Sequence, residues 1–160
     1  MIGVDPRGLP TGTVTFFFTD IEGSTKLVRE LGAGRFGDVL DLHGRILRGV
    51  VREHGGHEVR TEGDSFLCVF VRPSGAVAAA AAAQRALAAT PFPHDAVVRV
   101  RMGMHTGEGA LATSDSGADY VGFEVHRAAR IASSGHVRNG PPEAVRMIRR
   151  TSARCPDASD

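Results

Sequence analysis

The run Thr13–Thr19, TVTFFFT, sets the tightest limit on the fold: consecutive β-branched and aromatic residues, preceded by Gly12 and followed by Asp20. This is the pattern of a buried strand with a polar end. Ser24 or Thr25 is placed to cap the next element, and Phe36, Val39, Leu40, Leu47, Val50 and Val51 recur at helical spacing until His54-Gly55-Gly56, which predicts one long amphipathic helix. The runs EVRT and SFLCVFV flank Glu62-Gly63-Asp64 and read as antiparallel strands joined by a tight hairpin, with Asp64 at its tip. Ala76–Ala89 is alanine-rich enough to favour helix, with Val77, Ala80, Ala81, Gln84 and Leu87 along the stripe facing the sheet. Residues 97–105 alternate, placing Val98, Val100, Met102 and Met104 on a core face and Arg99, Arg101, Gly103 and His105 on the other.

Strand, helix, strand, strand, helix, strand is the order of a ferredoxin-like split unit, an α+β fold with an antiparallel sheet and helices on one face. The following GEGALATSDSGADY reads as a protruding loop or hairpin, and a helix is predicted from about Gly122 to Ser133. His126 and Arg130, four apart, share one face of that helix, while Val125, Ala128, Ala129 and Ala132 form its apolar side. Residues 1–11 are expected to be a tail and 12–136 a single domain. Residues 137–160, with a proline pair, clustered arginines and little periodicity, are expected to form a divergent, largely disordered tail carrying at most one short helix at 142–150.

Composition narrows the function classes. The 19 basic and 18 acidic residues are interspersed, which excludes the broad basic surface of a general nucleic-acid binder, so any anion site is local. Two cysteines, Cys68 and Cys155, provide neither a disulfide framework nor a cysteine metal cluster and suit a reducing cytoplasm. No segment has the uninterrupted apolar length of a membrane span, and the first residues lack a basic region followed by an apolar stretch. A cytoplasmic chain that engages neither membrane nor nucleic acid is expected.

The residues that point to chemistry are Asp20 and Asp64. In a split unit the first and third strands are neighbours, so both carboxylates are expected at one sheet edge. Two hard oxygen donors with few other protein ligands suit Mg²⁺ or Mn²⁺ completed by water and phosphate oxygens. Ile21-Glu22-Gly23-Ser24-Thr25 then turns into a helix whose free N–H groups suit phosphate. Taken singly, Asp20 is also an ordinary helix-start residue and Asp64 an ordinary turn residue. His43, His54, His57, His94, His105 and His136 show no metal-ligand spacing, and His105 is assigned to supporting the sheet edge.

Four segments in order, TVTFFFTDIEGST (13–25), EVRTEGDSFLCVF (58–70), VVRVRMGMHTGEG (97–109) and DYVGFEVHRAARIA (119–132), together resemble the class III adenylate and guanylate cyclase catalytic domain, especially its bacterial branch. The resemblance implies conversion of ATP to 3′,5′-cyclic AMP and pyrophosphate, with GTP an alternative substrate, by two metal ions per site. It implies a head-to-tail homodimer, or a heterodimer with another cyclase domain, whose sites are assembled from both chains. Asp20 and Asp64 match the metal aspartates, with the Ile21 carbonyl a further ligand, and Gly23, Ser24 and Thr25 open the phosphate-binding helix. Arg101 matches a phosphate-binding arginine of the same subunit. From the partner, Arg130 matches the arginine that stabilises the α-phosphate, Asp119 the acidic residue that reads the base, and Arg60 the position where adenylate cyclases usually carry a lysine.

Two departures accompany the match. His126 stands where typical members have an asparagine that orients the ribose, and imidazole has a different reach and can gain charge. Lys26 is the sole lysine, and the chain after residue 136 has no likeness to the family's remaining strands and their triphosphate-contacting lysine, so those strands are expected to be missing. A catalytically weak or silent nucleotide-binding or dimerisation module is the second expectation. A two-metal phosphohydrolase is a third.

Overall fold

A computed structural model of the chain describes residues 3–5, 8–114 and 117–134. The sheet is organised around β2 (Pro10–Ile21), which extends the predicted strand at both ends. β1 (Gly3–Val4) pairs with its first residues, Gly3 opposite Thr11 and Val4 opposite Pro10. The stretch expected to be a tail therefore contributes a short strand, and Leu9 is buried. Beyond β2 come α1 (Ser24–Leu31), α2 (Ala33–Glu53), β3 (Gly56–Glu62), β4 (Ser65–Phe70), α3 (Pro73–Ala89), β5 (Val100–Ser114), β6 (Gly117–Val121) and α4 (Phe123–Ser134). The strand order is β3-β4-β2-β5-β6, and every pairing along it is antiparallel. Within it, β5-β2-β4-β3 is the split unit that the sequence predicts.

Both faces of β2 are covered, which is why its sequence is continuously apolar rather than alternating. Phe17 and Ile21 pack with Phe66, Cys68 and Phe70 of β4 against Leu47 and Val51 of α2 and the alanines of α3. Val14 and Phe16 pack with Leu67 and Val69 against Tyr120, Val125 and Ala128. The helices of the split unit thus share one face as expected, while α4, which comes after that unit, covers the opposite one.

Two helix expectations are corrected. The stretch from Ser24 to Glu53 is two helices, because Gly32 adopts φ 81° and ψ 159°, a region essentially reserved for glycine. In α3 the buried stripe is Ala76, Ala79, Ala80, Ala83 and Leu87, while Val77 is 37% exposed. A helix made almost entirely of alanine has too little apolar contrast to fix its rotation from sequence. In the observed rotation Leu87 and the buried alanines pack in the core while Gln84 Nε2 donates to the Val100 carbonyl at 2.8 Å.

The segment after Gly107 is a hairpin: β5 runs on to Ser114 and β6 returns, with Tyr120 opposite Leu111. Tyr120 meets Phe16 edge to face at 5.3 Å, and its hydroxyl donates to the Pro10 carbonyl, so the hairpin lies back over the sheet. α4 approaches β5 across Gly103, where a Cβ would strike the Ala128 carbonyl and the Ala132 backbone. Residues 137–160, with the short helix expected at 142–150, lie outside the described residues.

Because backbone cannot retreat as a flexible side chain can, Gly103→Ala is expected to destabilise the fold by about 1–3 kcal/mol. Gly49→Ala, in α2 where an added Cβ meets nothing within 4 Å, is expected to stabilise it by about 0.5–1 kcal/mol. Urea unfolding of the two variants beside the parent chain checks the opposite signs.

Candidate functional site

β2 and β4 are neighbours, with Thr19 opposite Phe66, so the hairpin turn before β4 projects beside the end of β2. Gly63 takes the left-handed conformation that this turn needs, at φ 59°. Asp64 then reaches back, and its Oδ2 accepts the Ile21 backbone N–H at 2.8 Å. On the other side of β2, Arg101 sits directly opposite Asp20 in register. Its Nε donates to Asp20 Oδ1 at 2.6 Å and its Nη2 to Oδ2 at 3.0 Å, a two-point contact with a geometry open to guanidinium but not to ammonium. The Asp20 side chain is 13% exposed and that of Arg101 27%. Hydrogen bonding to Asp20 holds the Arg101 guanidinium above its ordinary value, with the charges of Asp20, Glu22 and Asp64 adding to the effect. One arginine thus serves a neighbourhood of three carboxylates. Glu22 is the member that sequence reasoning misses, although it lies two residues past Asp20.

The next turn leads into α1. Ser24 and Thr25 do not cap it; Gly23, at φ 70° and ψ 25°, is the N-cap, and no side-chain cap or first-turn acid is present. Its carbonyl accepts from Lys26 and Leu27, and Glu22 N–H donates to the Arg99 carbonyl at 2.8 Å. The first N–H groups of α1 therefore open beside the aspartates without a side-chain cap, an arrangement suited to an anion.

A second cluster forms where β3 and β6, far apart in strand order, are brought together by the folded-back hairpin. Arg60 Nη1 donates to Asp119 Oδ2 at 2.6 Å, and Arg60 Nε lies 3.4 Å from Glu62. Asp119 Oδ1 is enclosed and makes no hydrogen bond among the described residues. His126 and Arg130 lie exposed on α4. The structure thus unites Asp20, Ile21, Asp64 and Arg101 beside Gly23–Thr25, and separately pairs Arg60 with Asp119.

The donors at the end of β2 fit a hard divalent cation. Asp64 Oδ1 makes no hydrogen bond among the described residues, and the carboxylates outnumber Arg101. Among the described residues no three His, Cys, Asp or Glu side chains converge on a common point, so a cation at Asp20 and Asp64 would need water or phosphate oxygens to complete its shell. Arg101 occupies both oxygens of Asp20, so a cation there shares or displaces that contact.

Comparison with known proteins agrees with this fold. The family described as the adenylate and guanylate cyclase catalytic domain matches residues 9–140, and the chain belongs to it. It is 33% identical over 146 residues to an adenylate cyclase of Lachancea kluyveri, an alignment covering 77% of this chain and 8% of that protein. An uncharacterised protein of Mycobacterium tuberculosis is 35% identical over 136 residues, covering 84% of this chain and 44% of the relative. The chain therefore spans less than half the length of these relatives. Among solved structures, an adenylate cyclase from Trypanosoma brucei in its monomeric state superposes with a TM-score of 0.68 at 28% identity, over 79% of this chain and 71% of that one.

Behind the aspartates, His43 of α2 is fully buried with its ring edge-on to Phe66 at 5.6 Å. Neither ring nitrogen is hydrogen-bonded among the described residues. Burial pulls it from 6.5 to about 4, partly opposed by the charge of Asp64. Above pH 6.5 the ring is neutral in both the folded and the unfolded chain, so burial is not penalised by protonation. As the pH falls from 6.5 towards 4, the unfolded chain binds a proton that the folded chain refuses, and stability declines by on the order of 3 kcal/mol from this group. His43→Leu is expected to flatten that part of the slope, measured as urea midpoints across the same window.

Proposed function

We propose that this chain is a nucleotidyl cyclase catalytic domain that converts ATP to 3′,5′-cyclic AMP and pyrophosphate at the interface of a head-to-tail homodimer. The observation that carries this reading is the meeting of Asp20, Asp64 and Arg101 at the end of β2, through the Ile21 N–H to Asp64 contact and the Arg101 fork on Asp20. Two Mg²⁺ or Mn²⁺ ions, held by Asp20, Asp64 and the Ile21 carbonyl, would neutralise the triphosphate and activate the ribose 3′-hydroxyl. Gly23, Ser24 and Thr25 present the N-terminus of α1 to the phosphates, and Arg101 binds a phosphate oxygen when it leaves Asp20. Ring closure joins the 3′-oxygen to the α-phosphorus and breaks the bond to pyrophosphate. Arg130 of the partner subunit donates to the α-phosphate oxygens as charge builds on them, and the partner's His126 orients the ribose.

The partner's Arg60 and Asp119 read the base. Asp119 accepts from the adenine amino group while Arg60 donates to a ring nitrogen. The same pair also suits guanine, whose O6 accepts and whose N1 donates, so GTP is the competing substrate. A second subunit is supported by the exposure of Val121 and Phe123, at 48% and 84%, beside Asp119 and His126. A heterodimer with another cyclase domain would use the same face. Among the described residues no helix is long and apolar enough to cross a membrane, which suits the proposed cytoplasmic location.

The second reading is a cyclase-like module that binds nucleotide or a partner with little turnover. It is favoured by His126 in place of asparagine and by the engagement of Arg60 with Asp119.

A product assay with ATP and GTP in parallel, in Mg²⁺ and in Mn²⁺, is the test. Cyclic product is expected, and Asp64→Ala and Arg130→Ala should each abolish it. Mixing these two variants should restore roughly a quarter of the activity, because half the dimers then hold one intact site. No cyclic product above the Asp64→Ala background defeats the cyclase reading, and linear nucleoside monophosphate alone would indicate hydrolysis.

A further inference from the structure

α4 carries His126 and Arg130, and the way it is seated on the sheet assigns work to two residues outside the site. It rests on alternate positions of β5, namely Gly103, His105 and Gly107. A Cβ on Gly103 would strike Ala128 and Ala132, and one on Gly107 would lie 2.9 Å from Glu124 Cδ. The spacings match: two strand residues advance about 6.7 Å and four helix residues about 6.0 Å, so Glu124, Ala128 and Ala132 follow β5 turn by turn. A seam of glycine against alanine lets backbone approach closely, and Val125 beside it packs into the second core, an apolar contact that is non-directional and sets the helix's register only loosely.

His105 is the one side chain in the stripe, and its Nε2 meets Glu124 Oε2. Both groups are largely shielded, with side chains 14% and 28% exposed. Among the described residues this is the sole side-chain hydrogen bond from α4 to the sheet. The other partner of Glu124 is Arg127, on the same helix at 3.5 Å.

We propose that His105 and Glu124 are positioning residues, whose pair fixes the register of α4 on β5 and thereby places Arg130 and His126 for the reaction. The catalytic consequence rests on the cyclase reading above. The structural consequence does not. Glu124 lies six residues before Arg130, so a shift of the helix at its first turn carries the arginine with it.

The test uses the full chain with Glu124→Ala, His105→Ala, the double variant and the reversed pair His105→Glu with Glu124→His. Glu124→Ala is expected to lower kcat by about 10- to 100-fold, the scale of a displaced catalytic group, with KM for the nucleotide and the urea midpoint close to those of the parent. The double variant should be no worse than either single one, and the reversed pair should recover part of kcat. Amide exchange across Phe123–Ser134 should quicken in Glu124→Ala and slow again in the reversed pair. An unchanged kcat, additive single effects, or a kcat loss matched by global unfolding overturns the assignment. If the parent chain makes no cyclic nucleotide, the cyclase reading fails alone, and unchanged exchange over α4 in Glu124→Ala still overturns the role of the pair.

Discussion

The structure depends on a strand that is buried on both faces. β2 receives β4 on one edge and β5 on the other, the helix pair α2–α3 on one face, and α4 with the β5–β6 hairpin on the opposite face. Such a strand has little freedom to shift register, since a one-residue slip would exchange Phe16 and Phe17 between two different cores. Its last residues inherit that rigidity. Asp20 and Ile21 stand where the polar end of the strand leaves the core, and Asp64 and Arg101 are set beside them by the two neighbouring strands.

The same placement explains the electrostatics. Bringing Asp20, Glu22 and Asp64 to one end of a sheet creates repulsion that Arg101 relieves in part, and the helix α1 opens its N-terminus to the same place. Asp64 is held through a backbone N–H instead of a second arginine, which leaves one of its oxygens without a hydrogen bond among the described residues. On the proposed reading this surplus of carboxylate oxygen would receive a cation once Arg101 shares or gives up its contact with Asp20. The Arg101 fork is held by Asp20 in this structure, and on the proposed reading it would turn towards an incoming phosphate.

Much of this was legible in the sequence where the signal is local. The strand TVTFFFT, the Glu62-Gly63-Asp64 turn and the alternation through Val100–Met104 all appear where expected, and strand adjacency in a split unit was enough to bring Asp20 and Asp64 together. The break at Gly32 was hidden because apolar spacing continues on both sides of it, and the rotation of α3 was hidden because alanine gives no contrast. Other features depend on the sheet itself. α4 settles on the second face because Gly103 and Gly107 open a seam there, and Arg60 meets Asp119 because the hairpin folds over. No short window of sequence encodes either contact. His105, read from sequence as a support for the sheet edge, grips the helix instead.

Two sets of groups therefore differ in how they are held. Asp20 and Arg101 are tied to each other and Asp64 to the Ile21 backbone at the end of β2, while Arg130 and His126 project from an exposed helix face. If the site binds a triphosphate as proposed, it gains from the first set being fixed, since its carboxylates otherwise repel. On the proposed cyclase reading the second set would act on charge that appears only during ring closure, so its value would lie in arriving at the correct distance rather than in binding tightly beforehand. In a head-to-tail pair the rigid half of one chain faces the helix-borne half of the other. Accuracy at that junction would then depend on how firmly α4 is seated on its own sheet, through the packing of Val125 and Ala128, the glycine seam and the largely shielded His105–Glu124 contact.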